Sequence, residues 1–225
     1  MSIFTINQKK RVYVNAGHFA KDPGCVINGI AERDQVEIIR DVVIKKLDEQ
    51  NIPYVSVPDA DDLTATIQLI NLTAKTLEDG ISIDIHLNHN VAGISGTECY
   101  GLVRDLEICR VLSRCVSKEL GIPDRGFRPD TSAAVGSLGF CRKINNHAVV
   151  LEALYLDTDQ AILLNGGYEK IAKGIVNGIK ELYGIQDSVD LSLKEQIAIL
   201  QARVLSLLIQ LIAKLKQSRL GRMFL

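Results

Sequence analysis

The sequence predicts an α/β fold, namely a twisted, mainly parallel sheet flanked by helices on both faces, with a C-terminal helical tail. Short β-branched segments alternate with segments of helical periodicity, which is typical of parallel strands joined by crossover helices. Hydrophobic residues make up 47% of the 225 residues and charged residues 24%, as in globular proteins. The length suffices for one well-buried domain and an appendage.

The elements follow one another with recognisable boundaries. Strands are predicted at 11–15, 54–57, 81–87 and 148–151, with further strand material around Phe140. Helices are predicted at 32–50, 62–77, 103–120 and 168–183, and a loop at 121–131. The helix at 32–50 shows the pattern clearly, because its apolar residues recur at helical intervals: Val36, Ile39, Val43 and Leu47. Sites in such sheets gather at the carboxyl ends of the strands.

The chain divides into a predicted domain at 1–186 and an amphipathic helix at 187–225. In the tail, apolar residues follow a heptad spacing: Leu193, Ile197, Leu200, Val204, Leu207 and Leu211. Three interpretations stay open for this helix. It could form a homo-oligomer through a coiled coil, pack on its own domain, or place its basic residues on a membrane surface.

Charge and cysteine content exclude several classes of protein. The formal net charge of -1 gives no basic field for nucleic acid, so we expect no nucleic-acid partner. The five cysteines are odd in number and none are spaced as CxxC, which indicates reduced thiols. No apolar segment precedes the basic residues 9–11, so a secretory signal peptide is not expected. We therefore expect synthesis in the cytoplasm, and release or non-Sec export if the substrate lies outside.

Four ionisable residues stand at predicted strand ends or at a helix start. His18 follows the first strand, Glu32 opens the first helix, His86 ends the strand at 81–87, and Glu152 follows the last strand. Two histidines and one carboxylate are a known catalytic zinc set that leaves a position open for water. A further carboxylate beside that water could act as general base. Each residue alone also has a plainer interpretation, such as a hydrogen-bonded loop histidine or a helix-dipole carboxylate.

Several separate motifs carry a resemblance to a known family. Gly17-His18, Lys21-Asp22-Pro23-Gly24 and Asn28-Gly29-Ile30-Ala31-Glu32 resemble the opening motif of zinc-dependent N-acetylmuramoyl-L-alanine amidases of the type 3 family. Residues 82–88 (SIDIHLN) and 96–100 (GTECY) are similar to its second motif and the segment that follows. Residues 149–152 (VVLE), 157–160 (DTDQ) and the helix from Tyr168 resemble its closing part. The resemblance spans about residues 11–184 in the right order.

The resemblance implies a function and a role for each residue. His18, Glu32 and His86 would bind Zn²⁺, and Glu152 would be the catalytic base. The substrate would be peptidoglycan, cut between N-acetylmuramic acid and L-alanine. A phage lysin would fit the missing signal peptide. The alternative is a non-catalytic cell-wall-binding or virion structural protein on the same fold, and another zinc peptidase that cuts within the stem peptide is a third possibility.

Two positions depart from the pattern of the family. Phe19-Ala20 stand where glycine commonly follows the first histidine, which should alter the rim of the site, and Gln68 stands where the family commonly has arginine. We expect His89 on the rim as a substitute ligand only if His86 fails, and His147 as a surface turn residue. Glu98 could contact substrate or metal. Asp22 is expected to cap its Asp-Pro-Gly turn.

Overall fold

A computed structural model describes residues 11–19, 21–60, 62–90 and 93–185 of the chain. The predicted tail helix at 187–225, with its heptad, lies outside the described residues, so the domain boundary and the role of the tail stay predictions. None of the helices within the described ranges is long and apolar enough to cross a membrane.

A six-stranded sheet with the order β4-β1-β5-β8-β6-β7 forms the centre of the fold. The strands are β1 (Arg11–Ala16), β4 (Tyr54–Ser56), β5 (Gly80–Asn88), β6 (Thr97–Gly101), β7 (Asp124–Pro129) and β8 (His147–Tyr155), and a separate hairpin joins β2 (Val26–Ile27) to β3 (Ile30–Ala31). All neighbours in the sheet run parallel except β6 and β8. The predicted mainly parallel sheet is therefore confirmed.

Helices cover both faces of this sheet, as predicted. The helices are α1 (Glu32–Glu49), α2 (Leu63–Thr73), α3 (Leu106–Leu120), α4 (Gly139–Lys143), α5 (Gln160–Ile162) and α6 (Tyr168–Tyr183). One core packs α1, α3 and α6 against one face of the sheet. A smaller core packs α2 and α4 against the other face. In β5 the odd-numbered isoleucines point into the larger core, so Asp84 and His86 face the side of α2 and α4.

Three elements differ from the prediction, and each has a physical reason. Residues 124–129 (DRGFRP), predicted as loop, form β7, which pairs with β6 alone at the sheet edge and can therefore be polar. Phe140 lies in the short helix α4 and not in a strand. Five residues are too few to show helical periodicity. Strand β6 was missed because its sequence TECYG lacks a β-branched run.

The register of the strands brings the four singled-out residues to one edge. His86 pairs with Glu152 across β5 and β8, and Glu98 pairs with Glu152 from the other side. The loop after β1 carries His18, and the β2–β3 hairpin leads directly into Glu32 at the start of α1. Gln160 holds this hairpin in place, because it accepts a hydrogen bond from Asn28 and donates one to the carbonyl of Ile27.

Candidate metal centre

His18, Glu32 and His86 form a single cluster, in which one ligand atom from each lies within 4.8 Å of the others. Glu32 Oε1 lies 3.0 Å from His18 Nε2 and 3.1 Å from His86 Nδ1. His18 Nε2 is buried and makes no aligned hydrogen bond within the described residues. Bonds of about 2.0–2.1 Å to a tetrahedral ion would separate neighbouring ligand atoms by about 3.3 Å. The spacing therefore fits a shared cation, and the sequence-predicted ligands are brought together.

Two backbone amides hold the carboxylate of Glu32 in this position. Leu87 N donates to Oε1 at 2.9 Å and Cys25 N donates to Oε2 at 3.1 Å. Burial alone would raise the pKa of Glu32, but the contacts with His18 and His86 outweigh it and hold the pKa well below its ordinary value. Glu32 is therefore a fixed anion between the two rings.

Two glycines have no side chain and so make room for the cluster. A Cβ atom at Gly17 would lie 2.3 Å from His86 Nε2, and one at Gly24 would lie 2.6 Å from both Glu32 Oε2 and His18 Nε2. Gly24 also has a φ of 66°, in the left-handed region that favours glycine. Any larger residue at these two positions would press on the proposed ligands.

A carboxylate stands behind each histidine. Asp22 Oδ2 lies 3.0 Å from His18 Nδ1, and Asp84 Oδ2 lies 3.3 Å from His86 Nε2. Asn15 in turn donates to Asp84 Oδ1 at 2.7 Å. Such carboxylate–histidine pairs fix the orientation of metal-binding rings and raise their basicity. The sequence showed Asp84 on the same strand face as His86, but not this role.

The predicted turn cap of Asp22 is confirmed, because its Oδ1 accepts the amide of Gly24 at 3.1 Å. The contact of its other oxygen with His18 is an additional role. Burial lowers the pKa of both cluster histidines, but the neighbouring carboxylates outweigh burial. The carboxylate of Glu32 raises the pKa of His18, and the carboxylate of Asp84 raises the pKa of His86, so the net pKa of each histidine lies above its ordinary value.

Glu152 lies beside the cluster with a free, buried oxygen. Its Oε2 is shielded from solvent and has no hydrogen-bond partner within the described residues. Burial raises the pKa of Glu152 to about 7, helped by the charges of Glu32 and Glu98 and opposed by His86 and His18. A carboxyl group of this kind can both accept and donate a proton near neutral pH.

A cavity of about 300 Å³ is lined by His18, His86 and Glu152 together. Its other walls include the apolar side chains of Phe19, Leu63, Val135, Leu138 and Phe140. Phe19 therefore does shape the rim of the site, as expected from its departure from the family. The wall formed by α2 and α4 keeps one side of the cluster apolar.

The remaining histidines and Glu98 lie outside the cluster. His89 is exposed, and among the described residues its backbone amide donates to Asn88 Oδ1 at 2.8 Å. The expectation that His147 is a surface turn residue is wrong. His147 opens β8, and its Nδ1 bonds the fully buried Asp105. Glu98 is buried and held by arginines and tyrosines.

The mainly parallel six-stranded sheet flanked by helices matches the fold of solved N-acetylmuramoyl-L-alanine amidases. The family model described as N-acetylmuramoyl-L-alanine amidase matches residues 12–181, and the chain belongs to this family.

Relatives and solved structures agree with this membership. The uncharacterized protein YqiI of Bacillus subtilis is 29% identical over 189 residues, which cover 77% of this chain and 85% of that protein. The endolysin of Bacillus phage SPP1 is 27% identical over 190 residues, which cover 79% of this chain and 67% of the endolysin. The catalytic domain of CwlV, an amidase from Bacillus (Paenibacillus) polymyxa var. colistinus, superposes with a TM-score of 0.67 at 26% identity. That superposition covers 79% of this chain and 99% of the CwlV domain.

Proposed function

We propose that this chain is a zinc-dependent amidase that hydrolyses the bond between the lactyl group of N-acetylmuramic acid and L-alanine. The observation that carries the proposal is the convergence of His18, Glu32 and His86 within 4.8 Å, next to a buried carboxyl group. The family membership supplies the class of reaction and the substrate, peptidoglycan. The identity of the ion and the roles of single residues are the further steps proposed.

Zinc suits the donor set best, since two imidazole nitrogens and one carboxylate oxygen are ligands of catalytic zinc sites. When bound, the ion would polarise the amide carbonyl and make a water molecule acidic. His18 would bind through Nε2 and His86 through Nδ1, because these atoms face Glu32. Asp22 and Asp84 would hold the opposite ring nitrogens.

Glu152 is proposed as the general base and then as the general acid. It would accept a proton from the attacking water and return that proton to the amine nitrogen of the departing L-alanine. Burial raises its pKa above that of an ordinary glutamate, which suits both directions of transfer. Its buried Oε2 lies free for this task, whereas Glu32 is saturated by two amides and two histidines.

A non-catalytic wall-binding role gains no support from the site. A protein that only holds the wall would not need a free buried carboxyl group beside a complete ligand set. The present chain keeps both, and they line one cavity.

Metal content and hydrolysis should be measured on one purified sample of each of three forms. The wild type should hold about one zinc per chain and release peptides with L-alanine at the amino terminus, without new reducing sugar ends. His86→Ala should lose both metal and activity. His89→Ala is the matched control and should keep both, because the exposed His89 lies outside the cluster. Full activity without metal would overturn the proposal.

We further propose that the chain acts on the cell wall after release from the cell, as an endolysin. The similarity to the phage SPP1 endolysin supports this. Expression in a Bacillus host should leave cells intact until a pore-forming membrane protein is co-expressed, and lysis without the pore would contradict the idea.

The tail at 187–225 remains a candidate oligomerisation helix. Sedimentation of the protein with and without residues 188–225 tests it. A monomer in both forms would refute the coiled coil.

A further inference from the structure

A second cluster of charged side chains is centred on Glu98 and lies on the same face of the sheet as the metal cluster. This side chain is only 4% exposed and takes five donors. Oε1 accepts from Asn88, Tyr100 and Tyr155 at 3.0, 3.0 and 3.1 Å. Oε2 accepts from Arg125 Nε at 2.8 Å and from Arg128 Nε at 3.2 Å. Glu98 is therefore saturated and rigid.

The two arginines together carry more positive charge than the single carboxylate of Glu98 can neutralise. Both use the inner nitrogen Nε on the same oxygen of Glu98, so the two guanidinium groups converge on Oε2. The side chain of Arg125 is 28% exposed and that of Arg128 is 39% exposed. The side chain of Arg128 makes no other hydrogen bond within the described residues. Arg125 also stacks over the Tyr155 ring at 5.5 Å, which leaves Arg128 as the freer of the two.

Both arginines lie on β7, the second strand outward from β8, which carries Glu152. Glu98 is in register with Glu152, and Arg128 is in register with Tyr100 on the next strand outward. Neighbouring strands are about 4.8 Å apart, so β7 runs about 10 Å from β8. A stem peptide gains about 3.5 Å per residue. The residue after L-alanine therefore comes within reach of an arginine side chain that extends back from β7.

We propose that Arg128, assisted by Arg125, binds a carboxylate of the peptide half of the substrate, on the acidic residue that follows L-alanine. The inference rests on the proposed amidase function and names a specificity determinant for it. Arginine is suited to this task, because its outer nitrogens can bind both oxygens of a carboxylate. Glu98 is the positioning residue that orients the two guanidinium groups. Amidation of the substrate carboxylate would remove the charge that the pair recognises.

Two muramyl tripeptides test the proposal. Both contain N-acetylmuramic acid, L-alanine and a third residue, and they differ in the second residue, γ-linked D-glutamate or D-isoglutamine. The wild type should cleave the carboxylate form with a kcat/KM about tenfold to a hundredfold higher, mainly through KM. Arg128→Gln should cleave both forms as the wild type cleaves the amide form.

Arg114→Gln is the matched control, because Arg114 is half-exposed, pairs with a single glutamate, Glu181, and lies on α3 on the opposite face of the sheet. It should keep the wild-type preference. A wild type that cleaves both forms equally would overturn the subsite. So would an Arg128→Gln variant that slows both substrates by the same factor, since this would indicate a merely structural role.

A failure of the amidase function itself is separable from a failure of the subsite. If the zinc-loaded wild type cleaves neither tripeptide, the proposed function is wrong. Affinities of the two tripeptides for Glu152→Gln, with and without Arg128→Gln, then decide the subsite on their own. A preference for the carboxylate that disappears in the double variant supports it, and equal affinities refute it.

Discussion

Three glycine-to-alanine changes separate backbone strain from obstruction of the metal centre. Gly17 has no left-handed backbone, but its added Cβ would lie 2.3 Å from His86 Nε2. Gly29 has a φ of 79° and open space around it. Gly24 combines a φ of 66° with a Cβ position 2.6 Å from the His18 and Glu32 ligand atoms. The three variants therefore test obstruction alone, strain alone, and both together.

The magnitudes follow from these distances. Non-bonded heavy atoms prefer about 3.5 Å or more, so the new methyl group would overlap the His86 ring at Gly17, and the His18 and Glu32 side chains at Gly24, by about 1 Å. Metal sites tolerate deviations of only about 0.2 Å. His86 can avoid the methyl group only by leaving Glu32 and Asp84. We expect zinc affinity to fall by about 10–100-fold or more in Gly17→Ala and Gly24→Ala, as when a supporting contact is lost.

The strain has a separate measure. The left-handed conformation costs a residue other than glycine about 1–2 kcal/mol. The metal-free forms of Gly24→Ala and Gly29→Ala should therefore both lose about this much free energy of unfolding. Gly29→Ala should bind zinc as the wild type does.

Zinc affinity is measured by competition with a chromophoric chelator, and stability by urea unfolding of the metal-free forms. If Gly17→Ala and Gly24→Ala bind zinc as tightly as Gly29→Ala, the proposed ligand geometry is wrong. Loss of zinc in Gly24→Ala and Gly29→Ala, with wild-type binding in Gly17→Ala, would show that strain, and not obstruction, governs the site.

Further predictions concern the carboxylates and the proton balance of the site. Glu152→Gln should keep the zinc but lose about 10²–10⁴-fold in kcat, measured on purified muropeptides; activity near wild type would exclude Glu152 as the base. Asp22→Asn and Asp84→Asn should each weaken zinc binding by about 10–100-fold in the chelator assay, and unchanged affinity would show that these carboxylates do not support His18 and His86. The raised pKa values of the two histidines mean that protons compete with the metal, so zinc binding should release protons and strengthen as pH rises. Calorimetry in buffers of different ionisation enthalpy measures this release, and no release would contradict it. A base must be deprotonated to act, so kcat/KM should fall as pH drops through the pKa of Glu152. This pKa lies at or below about 7, because a bound cation would lower the pKa of the carboxyl group. A value of kcat/KM that stays constant to a pH far below 7 would refute the assignment.

The sequence alone determined the class of fold and pointed to the candidate residues of the centre. Helical spacing in α1 and α6 and the β-branched runs of β1, β5 and β8 are long enough for periodicity to show. The candidate residues stood out at predicted strand ends and at a helix start, and the resemblance of their motifs to the amidase family implied their roles. The alternation along β5 placed Asp84 and His86 on one face. These features depend on local pattern, which a linear sequence carries.

Tertiary structure decided what depends on distant partners. Strand β7 forms because it pairs with β6 at the edge of the sheet, and α4 forms because Phe140 packs into the smaller core. Neither element has a recognisable pattern in its own sequence. The contact of Asp84 with His86, the amide bonds to Glu32 and the convergence of two arginines on Glu98 arise only when the strands come into register. Side-chain contacts between strands depend on that register, and register is a property of the folded sheet and not of any one segment.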